Sequence, residues 1–261
     1  MCLIFLAWRL LPECPLLLAA NRDEFYRRPT AAADFWPQAP QVLGGRDLEG
    51  GGSWLGVTRT GRLAAITNYR NPAEVGGVGA DKRSRGLLVS DFLTGSASAA
   101  DYLADLAQQP ENYRGFNLLV GDGDGLHYYS NRGAAPRPLA PGLYGLSNHL
   151  LDTPWPKVAQ GKRALALLLG RGLPSEAELF ALLAERTIAP DSLLPETGLS
   201  RDWERLLSAR FIHSPEYGTR ASTLVWFDHR GGARFIERSF GAGGGAIGEV
   251  RPEIPARAGN P

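Results

Sequence analysis

Apolar residues run almost unbroken through Cys2–Trp8 and again through Leu16–Ala20, while Arg9–Pro15 between them carries charge and two prolines. Short apolar runs bounded by turn residues predict two buried strands joined by a turn. The interruption also argues against a secretion signal, and no run reaches the roughly 20 apolar residues of a membrane helix. A charged run follows at once, Asn21-Arg22-Asp23-Glu24-Phe25-Tyr26-Arg27-Arg28-Pro29. Residues 30–50, rich in Ala, Pro and Gly, read as an irregular loop. Ser53–Thr58 and Arg62–Thr67 flank Arg59-Thr60-Gly61 and predict a hairpin; residues 73–82 read as a Gly-rich loop.

The period then changes. Ser84–Leu93 and Ala99–Gln108 repeat their apolar positions at helical spacing. Gly115–Val120 and Leu126–Ser130 predict strands around the turn Gly121–Gly125, and Leu143–Ser147 a third. Helices are expected over Trp155–Leu169, over Ser175–Ala184 with Ser175 as N-cap, and over Ser200–Ala209. Ala221–Phe227 and Ala233–Ser239 return to strands around Asp228–Gly232. The chain reads as one domain over residues 1–261, with 242–261 as a fraying tail. Segregated runs of strands and helices predict an α+β fold.

Composition narrows the function. The 261 residues carry 28 basic and 27 acidic side chains, a net charge of +1, with 44% hydrophobic residues. That balance gives a packed domain with no field to attract nucleic acid, and no membrane span. Two cysteines, Cys2 and Cys14, exclude a disulfide scaffold and a four-cysteine zinc site. His127, His149, His213 and His229 lack ligand spacing, so no metal is expected. Gly76-Gly77-Val78-Gly79 is not a dinucleotide fingerprint. Cytoplasmic residence is the expectation.

Cys2 is where chemistry would start. Removal of Met1 would give it a free α-amine beside its thiol, nucleophile and base in one residue. If the first two strands pair, Asn21, Arg22 and Asp23 return beside it. Arg22 would stabilise a thiolate, and Asp23 would orient the amine or shuttle a proton.

Met1-Cys2 and Asn21-Arg22-Asp23-Glu24, with Ile66-Thr67-Asn68-Tyr69, Gly145–Lys157 and Tyr217-Gly218-Thr219-Arg220, resemble the NRDE family, also called the transport and Golgi organisation 2 family. That family is similar to N-terminal-nucleophile hydrolases of the choloylglycine hydrolase and penicillin acylase type. The resemblance implies a four-layer αββα sandwich of antiparallel sheets. It implies catalytic positions at Cys2, Arg22, Asp23, Asn68, Asn148 and Arg220, with Asn68 and Asn148 as oxyanion donors. Asn21, Glu24, Tyr69 and His149 would contribute to binding. One departure stands out: those hydrolases space their Arg and Asp three residues apart, whereas Arg22 and Asp23 are adjacent and fall on opposite faces of a strand. Asp23, Glu24 or neither takes the carboxylate role. The implied activity is hydrolysis of a linear amide or acyl bond. The alternative is a binding or trafficking protein for haem, acyl-CoA or lipid; no cofactor is required, and haem enters only as a ligand. Oligomeric state is not legible.

Overall fold

The computed structural model describes residues 2–74, 82–230 and 232–255. In chain order the first strands are β1 (Cys2–Leu11), β2 (Cys14–Phe25), β3 (Thr30–Trp36), β4 (Ala39–Asp47), β5 (Leu55–Thr58) and β6 (Leu63–Asn68). Helices α1 (Gly86–Thr94) and α2 (Ala99–Leu106) follow, then β7 (Phe116–Gly121), β8 (Leu126–Ser130), β9 (Arg137–Pro138) and β10 (Gly142–Leu146). Next come α3 (Pro156–Leu169), α4 (Glu176–Leu183) and α5 (Arg201–Leu207), then β11 (Tyr217–Phe227), β12 (Ala233–Phe240), β13 (Ala246–Val250) and β14 (Glu253–Ile254).

Two antiparallel sheets result. One runs β10-β1-β2-β11-β12-β13, with β14 also on β12, and the other runs β3 through β9 in order. Alternation along β1 and β2 explains the layering. Ile4, Leu6, Leu16 and Leu18 face the second sheet, while Leu3, Phe5, Leu17 and Ala19 face α3 and α4. Leu88, Val89, Phe92 and Leu103 of α1 and α2 cover the second sheet from outside. The order is therefore α, β, β, α, as the resemblance implied.

Several expectations are corrected. Residues 30–50 are largely β3 and β4, not an irregular loop. Gly44 and Gly45 made the segment look loop-like; they are there because Leu55 O and the Trp54 ring approach too closely for a Cβ, at 2.6 and 2.0 Å. The first turn shrinks to Pro12-Glu13, since Leu11 pairs with Cys14. Residues 246–250, expected in a fraying tail, form β13 on β12. The charged run after Ala20 continues β2, with Asn21, Arg22 and Asp23 at 1%, 5% and 1% exposure. Gly121–Gly125 makes the expected hairpin turn, with Asp122 Oδ1 accepting from the main chain of Asp124 and Gly125. Ser175 caps α4 in a capping box with Glu178. The Gly76–Gly79 segment lies outside the described residues.

Candidate active site

β2 is central in its sheet, so Asn21–Glu24 is flanked by strands on both sides. Cys2 of β1 pairs with Arg22, and Arg22 with Ala221 of β11. Directly paired residues project to the same face, so Cys2 and Arg22 share the inter-sheet side. There the Arg22 guanidinium lies 4.6 Å from the Trp54 ring centroid, 3.7 Å from Asp47 Oδ2, and donates to Thr30 Oγ1 at 3.1 Å. Burial pushes the Cys2 thiol above its ordinary pKa; Asp23 and Glu24 add to this and Arg22 opposes it.

Asn21 and Asp23 turn to the opposite, helix-facing side. Asn21 Nδ2 donates to Leu183 O at 2.9 Å and Arg210 O at 2.7 Å, and its Oδ1 accepts from Ser222 Oγ. It ties β2 to the end of α4 rather than facing a ligand. Asp23 Oδ1 accepts from Thr219 Oγ1 at 2.7 Å. Burial raises the Asp23 pKa, and Lys157 is the first influence pulling it down.

A cavity of about 410 Å³ opens at Cys2. Arg22, Asp23, Glu24, Asp47, Ser53, Trp54, Ile66 and Asn68 line it, with the entrance to α1 supplying Arg85 and Gly86. Gly52 makes that approach possible: its φ is +73°, and a Cβ there would meet the Gly86 carbonyl at 2.2 Å. Asn68 ends β6. Ile66 N donates to Trp54 O, and by strand alternation the Asn68 N–H points to the same side, beyond the start of β5. Asn148 stands behind Asn68, fully buried; its Nδ2 donates to Asn68 O at 3.0 Å and retains a second hydrogen. Ser147 Oγ donates to Cys2 O at 3.1 Å, fixing the start of β1.

The structure does not bring every expected residue to Cys2. Arg220 sits at a β-bulge between Thr219 and Ala221. Its Nη1 donates to Phe25, Tyr26 and Arg28 carbonyls at 3.0–3.2 Å, so it holds the turn after β2 and lines a separate pocket beside Arg22. Asn148, Tyr69 and His149 are absent from the cavity wall as well. His149 Nδ1 lies 2.8 Å from Thr153 Oγ1, whose hydroxyl donates to Leu150 O. Nδ1 therefore carries the hydrogen, and Nε2 accepts from Tyr69 OH at 2.8 Å. Burial, then Arg70, lowers the His149 pKa. Glu24 does line the cavity; its Oε1 accepts from Phe25 N and its Oε2 lies 3.9 Å from Arg28.

Two features escaped the sequence reading. Lys157 is 2% exposed beneath the site. Arg70 and Glu204, at 4% and 3% side-chain exposure, form an ion pair at 2.5 Å. The signal for Lys157 was positional: with Val158, Gly161 and Leu165 it forms the buried stripe of α3. Cys14, at the far end of the sheet, donates to Leu16 O, and burial pushes its thiol up to about 11; it is a protonated packing residue. Among the described residues no cluster of His, Cys, Asp or Glu could hold a metal ion, and no helix is long and apolar enough to cross a membrane.

The chain is 41% identical over 262 residues to a transport and Golgi organization protein 2 homolog of Bos taurus, covering 92% of this chain and 93% of that protein. It is 39% identical over 261 residues to the Homo sapiens homolog, with the same coverage. Among solved structures it is similar to a Caenorhabditis elegans N-acylethanolamine-hydrolyzing acid amidase ortholog (13% identity, TM-score 0.43, 70% of this chain and 86% of that one). It is also similar to the C2A mutant of a conjugated bile acid hydrolase from Clostridium perfringens (9% identity, TM-score 0.42, 92% and 89%). The transport and Golgi organisation 2 family matches residues 1–242, and the chain belongs to that family.

Proposed function

We propose that the protein is an N-terminal cysteine hydrolase that cleaves a linear amide or acyl bond through an acyl-enzyme on Cys2. The observation that carries this is the register of β1 on β2, which sets Cys2 beside buried Arg22 at the floor of a cavity that Asn68 also lines. Met1 lies outside the described residues; the reading requires its removal. The α-amine of Cys2 then takes the thiol proton, with Asp23 or Glu24 holding the resulting ammonium and Arg22 favouring the thiolate. Sulfur attacks the carbonyl carbon, and the oxyanion accepts from the Asn68 N–H, with Asn148 holding Asn68 in place through its hydrogen bond to Asn68 O. The leaving amine or thiol departs with the proton of the ammonium. Water then adds to the thioester, the free amine takes its proton, the acid leaves, and the thiol is restored. Arg220 contributes by holding the turn that ends β2.

A second reading is favoured by the cavity's charge. Among the described residues Arg22, Arg28, Lys82, Arg83, Arg85 and Arg114 line it against Asp23, Glu24 and Asp47. Such an excess in a chain of net charge +1 suits an anionic ligand. A cytoplasmic binding or trafficking role for acyl-CoA, haem or another acidic lipid would use this rim and not the thiol. The two readings separate on Cys2→Ala. Mass spectrometry after incubation with an acyl thioester should show a covalent acyl adduct in the wild type and none in Cys2→Ala. Saturable binding of acyl-CoA or haem that survives in Cys2→Ala, without any adduct in the wild type, favours the carrier.

A further inference from the structure

Lys157 is the buried charge that the hydrolytic scheme leaves unused. It is the second residue of α3, and its Nζ has no hydrogen-bond partner among the described residues. Four residues on, Gly161 lies so close to β1 that a Cβ would meet the Phe5 ring at 1.9 Å. Residues four apart share a helix face, so this contact presses the Lys157 side of α3 onto the sheet. α3 packs on β1, β10 and α4, and the charged and titratable groups that act on Lys157 are Cys2 from β1, Asp23 from β2, Arg70 from the segment after β6, and Glu204 from α5. Asp23, Glu204 and Cys2 favour its charged form; Arg70 opposes it. An unpaired ammonium this deep is costly, and a packing role would be served as well by an apolar side chain of the same length.

We propose that Lys157 is the positioning residue of the Cys2 site: from the helix layer it sets a positive charge against Asp23 and behind Cys2, so that thiol reactivity follows the protonation of Lys157. The inference rests on the Cys2 nucleophile reading. Cys2 projects to the other face of the sheet, so the charge acts through the strand and not by contact. Burial pushes Lys157 down to about 8, which brings its titration into the working range of a thiol.

The chain has three lysines, Lys82, Lys157 and Lys162, so lysine labelled with ¹³C at Cε gives three resonances. One should titrate near pH 8, disappear in Lys157→Met, and titrate lower still in Asp23→Asn. Alkylation of Cys2 by iodoacetamide, quantified on the N-terminal peptide, should show an inflection at the same pH. Lys157→Met should slow it roughly tenfold at pH 7, the effect of one charge at moderate screening. Lys157→Arg should keep the rate and lose the inflection. Three resonances that all titrate above pH 10, or a Lys157→Met profile identical to the wild type, would overturn the proposal. A wild-type Cys2 that does not react at all contradicts the nucleophile reading instead, and the coupling of Lys157 to Asp23 is then decided by the resonances alone.

Discussion

Adjacent residues on a strand face opposite ways, and that fact divides the Asn21-Arg22-Asp23-Glu24 run into separate jobs. Arg22 looks between the sheets and reaches Trp54 and Asp47. Asp23 looks toward the helices and reaches Thr219. Asn21 also looks toward the helices, where all its polar atoms are used. Asn21→Ala strands two carbonyls and a hydroxyl in the interior. It should cost about 2–4 kcal/mol, a typical loss for buried groups left unsatisfied; urea denaturation measures it, and an unchanged midpoint would refute the structural role. The types of these residues were legible from sequence, and so was the return of β2 beside Cys2. Their burial was not, because no local pattern shows that a charged run at a strand end is enclosed by strands on both sides. Arg220 shows the reverse limit. Its type matched the family position, but the bulge that turns it onto the Phe25–Arg28 carbonyls depends on pairing between distant strands.

At the level of elements, α3 matters most. Its buried face reads Lys157, Val158, Gly161, Leu165, and Gly161 fixes its distance from β1. Gly161→Ala must displace the helix or the Phe5 ring, and overpacking of this kind costs about 1–3 kcal/mol. The expected result is a lower denaturation midpoint, partly recovered in Gly161→Ala with Phe5→Leu; additive losses in the double variant would contradict direct contact. The helix itself was legible from its period, but the burial of Lys157 was not, because the charge of a lysine does not tell which face of a helix carries it. β3 and β4 were missed for a different reason. Their small residues carry little alternation, and Gly44 and Gly45 serve close sheet packing, which no local pattern encodes.

On the scale of the molecule, the αββα layering and its antiparallel sheets followed from the order of runs together with the family resemblance. What held the ends of those layers was not legible, because it lies in pairs far apart in sequence. Arg70 and Glu204, joined also by Thr197 Oγ1 on Glu204, connect the end of β6 to α5. Glu204→Gln leaves Arg70 buried without a counter-charge and should cost about 3–5 kcal/mol. A loss below 1 kcal/mol in chemical denaturation would show that the pair does not bear on stability.

The central claim concerns Cys2, and the intact mass of the purified protein tests it most directly. Before any substrate, the mass should correspond to a chain beginning at Cys2. After incubation with an acyl thioester it should rise by one acyl group, with the adduct on the first residue and none in Cys2→Ala. Retention of Met1, or consumption of the thioester by Cys2→Ala at the wild-type rate, would contradict the account.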